Sequence, residues 1–475
     1  MFIGRERELK YLNDAYASKK AEFITLYGRR RVGKTETLTE FCKDKPNVFY
    51  ACNECTDKKQ FERFSNTLLS SFSELADSIR RFLDWEDLFG MLPQFAGDKK
   101  LVIVIDEFPY MVKNNKSIPS LLQNLWDHKL KNSNIMLIVS GSAISFMEDE
   151  LLSSKNPLYG RMTGIYKLLP LPYTDAVKFF PDYSDEDKLI AYSILGGIPH
   201  YLNQFDKDLS LRENVISHIL SKGCALYGEV EYILHQELRE PSAYNTILEA
   251  VAFGSSRFNE ITERTLIENT NITNYLKNLV DLGILEKEFP VTASLKERTN
   301  KQQGEYKVAD DFFRFWYAYA FPYSSMLEMG QGAKVYDNII KNDLHRFASK
   351  NFENIAISYM HLLNAEDKLP FWFSDIGRWW GKVTHKSSDG KPYTVSEEID
   401  VFATDKHDKY ILGECKFTNE PIDLSVLNSL KEKLSLSGDI YYYLFSLSGF
   451  TDAVKTEAKT DQAVTLITAH DMLSV

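Results

Sequence analysis

The most constraining feature of the sequence is a glycine-bounded loop between an apolar strand and a helix. Glu22–Tyr27 is predicted to be a short buried strand, and Gly28–Thr35 has the pattern G-x-x-x-x-G-K-T. Glycine at both ends allows the backbone amides to turn inward around phosphate oxygens, and the start of the next helix adds a favourable dipole. The sequence therefore predicts a phosphate-binding loop in an α/β fold.

The residues of this loop have separate expected roles in binding ATP. Lys34 is expected to neutralise charge on the β- and γ-phosphates, and Thr35 is expected to be a ligand of Mg²⁺. Arg30 and Arg31 would contact phosphates or pair with acidic residues elsewhere. The predicted nucleotide-binding segment comprises Gly28, Arg29, Arg30, Arg31, Val32, Gly33, Lys34, Thr35 and Glu36.

Two acidic residues follow a second apolar run. Leu101–Ile105 is typical of a buried parallel strand, and Asp106 and Glu107 come directly after it. Carboxylates at the C-terminal end of a parallel strand face the ligand crevice. Asp106 is expected to hold Mg²⁺, directly or through water, and Glu107 to polarise the attacking water. The alternative is that the two acids only begin a loop.

Ser142 and Arg161 each have two interpretations. Ser142 follows the predicted strand Ile135–Ser140 and would sense the γ-phosphate, although a serine after glycine also suits an ordinary turn. Arg161 would be an arginine finger, in cis or in trans, or an ordinary surface residue.

Several segments together resemble a known family: FIGREREL, GRRRVGKT, LVIVIDEF, IVSGS, LYGR and GGIPHYL. They are similar to the archaeal-type ATPases, a P-loop group related to AAA+ and STAND proteins, over roughly the first half of the chain. The resemblance implies an ATPase with an N-terminal segment near the adenine. It also implies a lid motif that brings Gly197 and Pro199 near the nucleotide, although a plain helix break would give the same letters.

A second group of carboxylates lies near the C-terminus. If His407 is the centre of a hairpin turn, Asp400 lies opposite Glu414, and Glu398 lies opposite Lys416 on the same face. Like charges placed opposite each other destabilise a hairpin, so the sequence predicts a compensating cation such as Mg²⁺ or Mn²⁺. Lys416 would then activate water or stabilise charge on a phosphorane.

The spacing Asp400-x13-Glu414-x-Lys416, with IGRWWG, EIDVFA, GECKF and YYYLFSLSGF, resembles a restriction-endonuclease-like, PD-(D/E)XK domain of unknown function. That domain follows this type of ATPase in one subfamily. The resemblance implies a further acid on an upstream helix, for which Glu353 is the candidate, and a metal site of Glu353, Asp400 and Glu414. Isoleucine, not proline, precedes Asp400. The alternative is a solvated charged face with a Glu398–Lys416 pair.

The segment between these parts suits a winged helix-turn-helix. Short helices are predicted over Ile261–Glu268 and Ile272–Leu282, and a strand begins at Ile284. Between Arg257 and Lys301 there are seven basic and seven acidic residues, whereas a sequence reader normally carries more positive charge. DNA contact and a packing role are both compatible with this composition.

Length and composition limit the number of domains and the class of protein. The 475 residues carry a net charge of −11, which argues against coating nucleic acid by bulk electrostatics. The absence of a long apolar run or signal peptide, and five scattered cysteines, predict a cytoplasmic protein without membrane contact. We expect a P-loop ATPase core with a doubly wound parallel sheet (1–172), a helical lid (173–240), a winged helix (241–308), a helical linker (309–342) and a restriction-endonuclease-like α/β domain (343–475).

Three functional hypotheses follow. The first is an ATP-driven switch that controls a metal-dependent nuclease acting on DNA. The second is an ATPase regulatory or signalling module whose nuclease-like domain binds a protein partner or nucleic acid without cutting it. The third is a transcription regulator acting through the winged helix. A finger acting in trans would further imply a homo-oligomer.

Overall fold

The computed structural model describes residues 2–72, 81–300, 304–386 and 391–475. The chain forms two compact units. The first comprises Met1–Leu171 together with Ile198–His200, and the second comprises Pro172–Gly197 together with Tyr201–Val475. The short segment Ile198–His200 therefore belongs to the first unit, although the chain on both sides of it belongs to the second.

The first unit is built on a five-stranded sheet in the order β2-β3-β4-β1-β5, and every neighbouring pair is parallel. The strands are β1 (Glu22–Tyr27), β2 (Asn47–Ala51), β3 (Leu101–Asp106), β4 (Ile135–Gly141) and β5 (Gly164–Lys167). Every residue of β3 and β4 is buried, as expected for apolar runs in the middle of a parallel sheet. The strands predicted at Glu22–Tyr27, Leu101–Ile105 and Ile135–Ser140 are confirmed as β1, β3 and β4.

Helices cover both faces of this sheet. Alternate residues of one strand enter different cores: Ile103 and Leu137 pack with Leu88 on one face, whereas Val104 and Ile138 belong to the core on the other. This confirms the predicted doubly wound α/β fold. The helices are Glu6–Ala17, Lys34–Cys42, Asp57–Ser71, Trp85–Ala96, Phe108–Asn114 and Ile118–His128, with a 3-10 turn at Leu130–Asn132 and a π-helical turn at Phe146–Leu151.

The second unit begins with helices. They are Tyr173–Ala176, Asp185–Leu195, Leu211–Val215, Glu229–Glu237, Pro241–Ala252, Phe258–Thr265, Asn269–Asp281, Leu295–Thr299, Asp311–Phe315, Ser324–Glu328, Gly332–Val335 and Lys341–Ala365. The helix Pro199–Leu202 spans one point where the chain passes between units. Further 3-10 turns lie at Val177–Phe179 and Phe321–Tyr323, and π-helical turns at Ile216–Leu220, Trp316–Ala320 and Tyr336–Ile340.

A two-stranded antiparallel ribbon follows the helices Phe258–Thr265 and Asn269–Asp281. Its strands are β6 (Leu285–Glu288) and β7 (Glu305–Val308). Each of the two helices begins slightly before its predicted position, and the strand lies where the sequence predicts it.

The C-terminal sheet has the order β12-β11-β10-β9-β8. Its strands are β8 (Asp375–Lys386), β9 (Pro392–Thr404), β10 (Lys409–Lys416), β11 (Asp439–Ser446) and β12 (Val464–Thr468). Neighbours from β8 to β10 are antiparallel, and neighbours from β10 to β12 are parallel. The two parallel connections contain the helices Leu424–Lys433 and Asp452–Thr460, as parallel crossovers require. The helix Ala469–Leu473 ends the chain.

The register of β9 against β10 matches the prediction from the hairpin turn. Ala403 pairs with Ile411 and Val401 with Gly413, which is the alignment that centres the turn on His407. Phe402, on the other face, is also buried (2% exposed) because this sheet, too, is covered on both sides.

No helix within the described ranges is both long and apolar enough to cross a bilayer.

Two isoleucines of the first sheet allow a matched test of the core. Ile138 in β4 is fully buried, whereas Ile165 in β5 is 54% exposed. We expect Ile138→Ala to lower the free energy of unfolding by about 2–5 kcal/mol, because it opens a cavity, and Ile165→Ala to change it by about 0.5 kcal/mol. Urea denaturation followed by circular dichroism measures both, and equal effects would contradict the described packing.

Candidate functional sites

The loop Gly28–Thr35 joins β1 to the helix Lys34–Cys42, and its backbone demands glycine at two points. A Cβ atom on Gly28 would lie 2.4 Å from the carbonyl oxygen of Leu168. Gly33 has a φ of 93° and precedes the first helical residue, a conformation that favours glycine. The predicted glycines are therefore required by close approach and by backbone geometry.

Lys34 is buried beneath this loop, with 6% exposure. Its Nζ donates to the carbonyl oxygens of Gly28 at 3.0 Å and Arg29 at 3.1 Å. The ammonium is thus held at the start of the loop whose amides would surround phosphate. The remaining loop arginines, Arg29, Arg30 and Arg31, are half-buried, and Glu36 is exposed.

Sequence reasoning did not identify Arg5 as a brace for the loop. Arg5 is 4% exposed. Its guanidinium donates to the carbonyl oxygens of Val32 and Leu169, each at 2.7 Å, and contacts Glu8 at 3.2 Å. It therefore ties the N-terminal segment to the phosphate loop. Arg5 belongs to the segment FIGRERE, but Val32 and Leu169 are too distant in sequence for residue spacing to reveal these contacts.

Asp106, at the end of β3, joins several elements. Its carboxylate accepts hydrogen bonds from the Thr35 hydroxyl at 2.7 Å, from the Ser140 hydroxyl, and from the backbone N–H of Glu107 at 3.0 Å. The Thr35 hydroxyl and the Asp106 carboxylate are hard oxygen donors of the kind Mg²⁺ prefers. The predicted pair is therefore brought together, and its donor chemistry fits the ion.

Glu107 and Ser142 contact each other. The Glu107 carboxylate accepts hydrogen bonds from the Ser142 backbone N–H at 3.2 Å and from its hydroxyl at 2.9 Å. Glu107 has a φ of 51° at the start of the helix Phe108–Asn114, a strained conformation of the kind found at functional sites. The candidate base and the candidate phosphate sensor are therefore directly coupled.

Pro199 and Gly197 fall in different units. Pro199 lies beside the phosphate loop, because a Cβ atom on Gly33 would be 3.5 Å from its Cγ. Burial, with a further effect of the Arg31 charge, lowers the pKa of the adjacent His200. Gly197 belongs to the second unit, so its predicted role near the nucleotide stays a prediction.

Arg161 forms an ion pair with a residue of its own chain. Its Nη2 lies 3.1 Å from a carboxylate oxygen of Asp127, and both side chains are about one-third exposed (32% and 35%). An exposed ion pair of this kind contributes about 0–1 kcal/mol to stability. Arg161 can therefore exchange Asp127 for another anion at little cost. Its predicted role as a finger stays a prediction.

In the second unit, Asp400 lies within β9, next to β10 and close to other acidic side chains. Its carboxylate accepts a hydrogen bond from the Cys415 backbone N–H at 2.8 Å. Burial and the neighbouring charges of Glu353 and Glu414 raise the pKa of Asp400 to about 7. Glu353 and Glu414 therefore each lie close enough to Asp400 to disfavour its charged form.

Glu414 is paired with two lysines. Its carboxylate contacts Lys416 Nζ and Lys433 Nζ, each at 2.7 Å. Burial alone would raise the pKa of Glu414, but these bonds outweigh it and hold the pKa below its usual value. Lys433 also donates to the carbonyl oxygen of Glu398 at 2.7 Å. Lys416 therefore pairs with a residue of its own strand. The contact of Lys433, which lies on a separate helix, was not predicted from the sequence.

Glu353 faces the sheet from the helix Lys341–Ala365 and is also paired. Arg378 Nη1 lies 3.0 Å from its carboxylate, and Lys350 lies 3.6 Å away. Arg378 further contacts Glu288 of β6, with its Nε at 3.1 Å. Carboxylates suit Mg²⁺ or Mn²⁺ chemically. However, no group of three or more His, Cys, Asp or Glu side chains is arranged to hold a metal ion within the described parts of the chain.

Two parts of the chain match known protein families. One, an ATPase domain predominantly from Archaea, covers residues 2–205, and the other, archaeal and bacterial proteins of unknown function, covers residues 316–432. An uncharacterised protein of Methanocaldococcus jannaschii is 35% identical over 413 residues, which are 87% of this chain and 86% of that protein. An uncharacterised ATP-binding protein of the same organism is 47% identical over 45 residues, or 10% of this chain and 76% of that protein.

A solved structure has a similar fold. The Walker-type ATPase of Pyrococcus abyssi matches with a TM-score of 0.51 and 21% identity, over 67% of this chain and 96% of its own. At this identity the likeness shows the fold, and the family match shows an ATPase that binds nucleotide. An ATPase domain of the predominantly archaeal type is thus followed by a region that matches archaeal and bacterial proteins of unknown function. The chain therefore belongs to the same family as the Methanocaldococcus jannaschii protein that it matches over 413 residues.

Proposed function

We propose that this ATPase is an Mg²⁺-dependent switch whose nucleotide state controls a metal-dependent nuclease in the C-terminal part, with DNA as the substrate. The ATPase half rests on the family match. The observation that best supports the proposed site is the 2.7 Å hydrogen bond from Thr35 to Asp106, which joins the phosphate loop to the acidic end of β3.

Each residue of this site has a proposed role. Lys34 binds phosphate, while Thr35 and Asp106 hold Mg²⁺ through their oxygens. Bound Mg²⁺ would neutralise charge on the β- and γ-phosphates. Glu107 orients the attacking water and accepts its proton.

The Glu107–Ser142 contact supports a switch. While Ser142 donates two hydrogen bonds to Glu107, part of the carboxylate is occupied. A γ-phosphate that attracts the Ser142 hydroxyl would release Glu107 toward water. Arg161 is proposed to complete the site from a neighbouring copy of the chain, after leaving Asp127.

The nuclease half is supported by topology and by the acids. A long helix precedes three antiparallel strands, and a helix then leads to a parallel strand, which is the order expected of a restriction-endonuclease-like fold. Asp400, Glu414 and Lys416 lie on the two adjoining strands, and Glu353 approaches from the helix. The charges of Glu353 and Glu414 both disfavour ionised Asp400, so a cation bound beside Asp400 would stabilise its carboxylate. Lys416 would stabilise charge on the scissile phosphate.

A second candidate function has its own support. Arg378, Lys416 and Lys433 already pair with Glu353 and Glu414, so protein cations offset much of the negative charge. This pattern favours a nuclease-like domain that binds a partner or nucleic acid without cutting it. The contact of Glu288 with Arg378 likewise favours a packing role for the ribbon of the proposed winged helix.

Lys34→Ala is expected to reduce ATP hydrolysis to background, because the phosphate charge loses its partner. Lys43→Ala is the matched control: Lys43 is 63% exposed, follows the same helix and pairs with Glu40. Steady-state phosphate release measures both variants. Unchanged hydrolysis in Lys34→Ala would contradict the assigned site.

Glu107→Gln is expected to separate binding from chemistry. The amide keeps the size of the side chain but cannot accept the proton, so hydrolysis should fall by about 10²–10⁴-fold with ATP affinity retained. Single-turnover hydrolysis and equilibrium binding of a fluorescent ATP analogue give the two quantities. A parallel loss of affinity would instead indicate a structural role.

Asp400→Asn is expected to abolish DNA cleavage in Mn²⁺ or Mg²⁺. Asp439→Asn, which changes an exposed aspartate at the start of β11 in the same sheet, should cleave like the wild type. Cleavage of linear and circular DNA, with and without ATP, is the assay. Equal cleavage by purified Asp400→Asn would exclude the assigned acids, and a wild type that binds DNA without cutting it would establish the second candidate function.

A further inference from the structure

The strands β8 and β9 continue beyond the rest of the C-terminal sheet. Residues 402–404 of β9 pair with both β8 and β10, whereas, among the described strands, residues 392–399 pair with β8 alone. We call residues 392–399 and their partners, residues 379–386, the arm. At ~3.4 Å per residue, the arm is roughly 24 Å long. The arm is therefore a two-stranded ribbon rather than part of a wider sheet.

The two faces of the arm differ in exposure. Successive side chains of a strand project to opposite faces, and Trp379 and Ile399 pack with the hydrophobic core of the sheet on one of them. On the other face, the Thr384 and Thr394 hydroxyls lie 3.2 Å apart across the two strands. We call this second face the exposed face, because its polar side chains are all exposed: Lys382, Thr384, Lys386, Thr394, Ser396 and Glu398.

Basic residues occur at every fourth position along the exposed face of β8. They are Arg378, Lys382 and Lys386, and four residues of a strand span roughly 13 Å. Arg378 precedes Trp379 and therefore projects to the exposed face, where its Nη1 lies 3.0 Å from a carboxylate oxygen of Glu353. The row of cations thus begins beside the acidic cluster and continues outward along the arm.

The charges of the two lysines are not balanced within the arm. Among the described residues, the one ion pair of the arm joins His385 to Glu397 at 3.3 Å on the other face. The exposed face has a single acidic residue, Glu398. Its other exposed polar side chains besides the lysines are hydroxyls, at Thr384, Thr394 and Ser396. The exposed face therefore offers ammonium and hydroxyl donors to an anionic partner.

This combination indicates the chemistry of the partner. Lysine and hydroxyl side chains are typical donors to the phosphate and sugar oxygens of nucleic acids. A single phosphate group cannot contact two lysines roughly 13 Å apart, so the exposed face suits a polymer of phosphates better than a free nucleotide. In a chain with a net charge of −11, a local row of cations would also orient that polymer as it approaches.

The shape of the arm favours a duplex. A two-stranded β-ribbon fits the major groove of B-DNA, which is about 12 Å wide. An arm roughly 24 Å long would follow about seven base pairs, at ~3.4 Å for each. The exposed lysines and hydroxyls would then face the backbone and base edges along the groove.

We propose that the arm lies in the major groove of double-stranded DNA, that its exposed face binds the phosphate backbone, and that it brings the duplex beside the cluster of Glu353, Asp400 and Glu414. The position of the duplex at this cluster rests on the proposed nuclease function. Binding of the duplex to the arm does not, so the two are tested separately.

The test is fluorescence anisotropy of a short labelled DNA duplex with the full chain in EDTA, which prevents metal-dependent cleavage, over a series of NaCl concentrations. The double variant Lys382→Gln, Lys386→Gln is expected to weaken binding about tenfold or more. It should also reduce the slope of the logarithm of affinity against the logarithm of salt concentration by about 1.8, since each lost phosphate contact removes about 0.9.

A matched double variant, Lys455→Gln with Lys459→Gln, is the control. It removes two exposed lysines that are also four residues apart, on the helix Asp452–Thr460. The change in net charge is the same, so the control separates a local contact from a general electrostatic effect. We expect it to bind the duplex like the wild type, and circular dichroism checks that each variant folds.

The outcomes separate the hypotheses. Equal affinities and salt slopes for the wild type and the arm variant, an equal loss in the control variant, or no binding of the duplex by the wild type overturn the proposal. A single strand that binds more tightly than the duplex, with the same dependence on the two lysines, overturns the assignment to a duplex. Lysine-dependent binding without any metal-dependent cleavage supports the arm and overturns the nuclease alone. Asp400-dependent cleavage with lysine-independent binding does the reverse.

Discussion

The architecture of the ATPase unit depends on one buried carboxylate. Asp106 is 3% exposed, and burying a charged group is unfavourable unless hydrogen bonds replace its water. Thr35, Ser140 and the backbone of Glu107 supply them. These groups come from the helix after the phosphate loop, from β4 and from the residue after β3, so one requirement fixes the relative positions of three parts of the site. The geometry of the candidate site and the stability of the fold are therefore not independent.

In the C-terminal sheet, the same electrostatic problem has a different solution. Side-chain cations, rather than hydroxyls and amides, compensate the acids: Arg378 contacts Glu353, and Lys416 and Lys433 contact Glu414. Because Arg378 contacts both Glu288 and Glu353, it links the ribbon to the acidic cluster.

The sequence predicted those strands and pairings that depend on residues close together in the chain. The strands β1, β3 and β4 follow from their apolar runs, whereas β5 was not predicted. The alignment of Val401 with Gly413 follows from the turn at His407. β8 was not predicted, because its Gly-Arg-Trp sequence does not alternate and its register shifts between Gly377 and Trp379. The contacts of Arg5 and Lys433 also escaped prediction, since each joins residues that only the tertiary fold brings together.

The discontinuity of the first unit has a mechanical consequence. Ile198–His200 belongs to this unit, yet the backbone continues into the second unit from both of its ends, and Pro199 packs beside Gly33 of the phosphate loop. The first unit is therefore joined to the second by covalent bonds on both sides of a segment that lies beside the phosphate loop. A fragment that ended at Leu171 would therefore lack a part of the first unit that returns from later in the chain, including the proline beside Gly33.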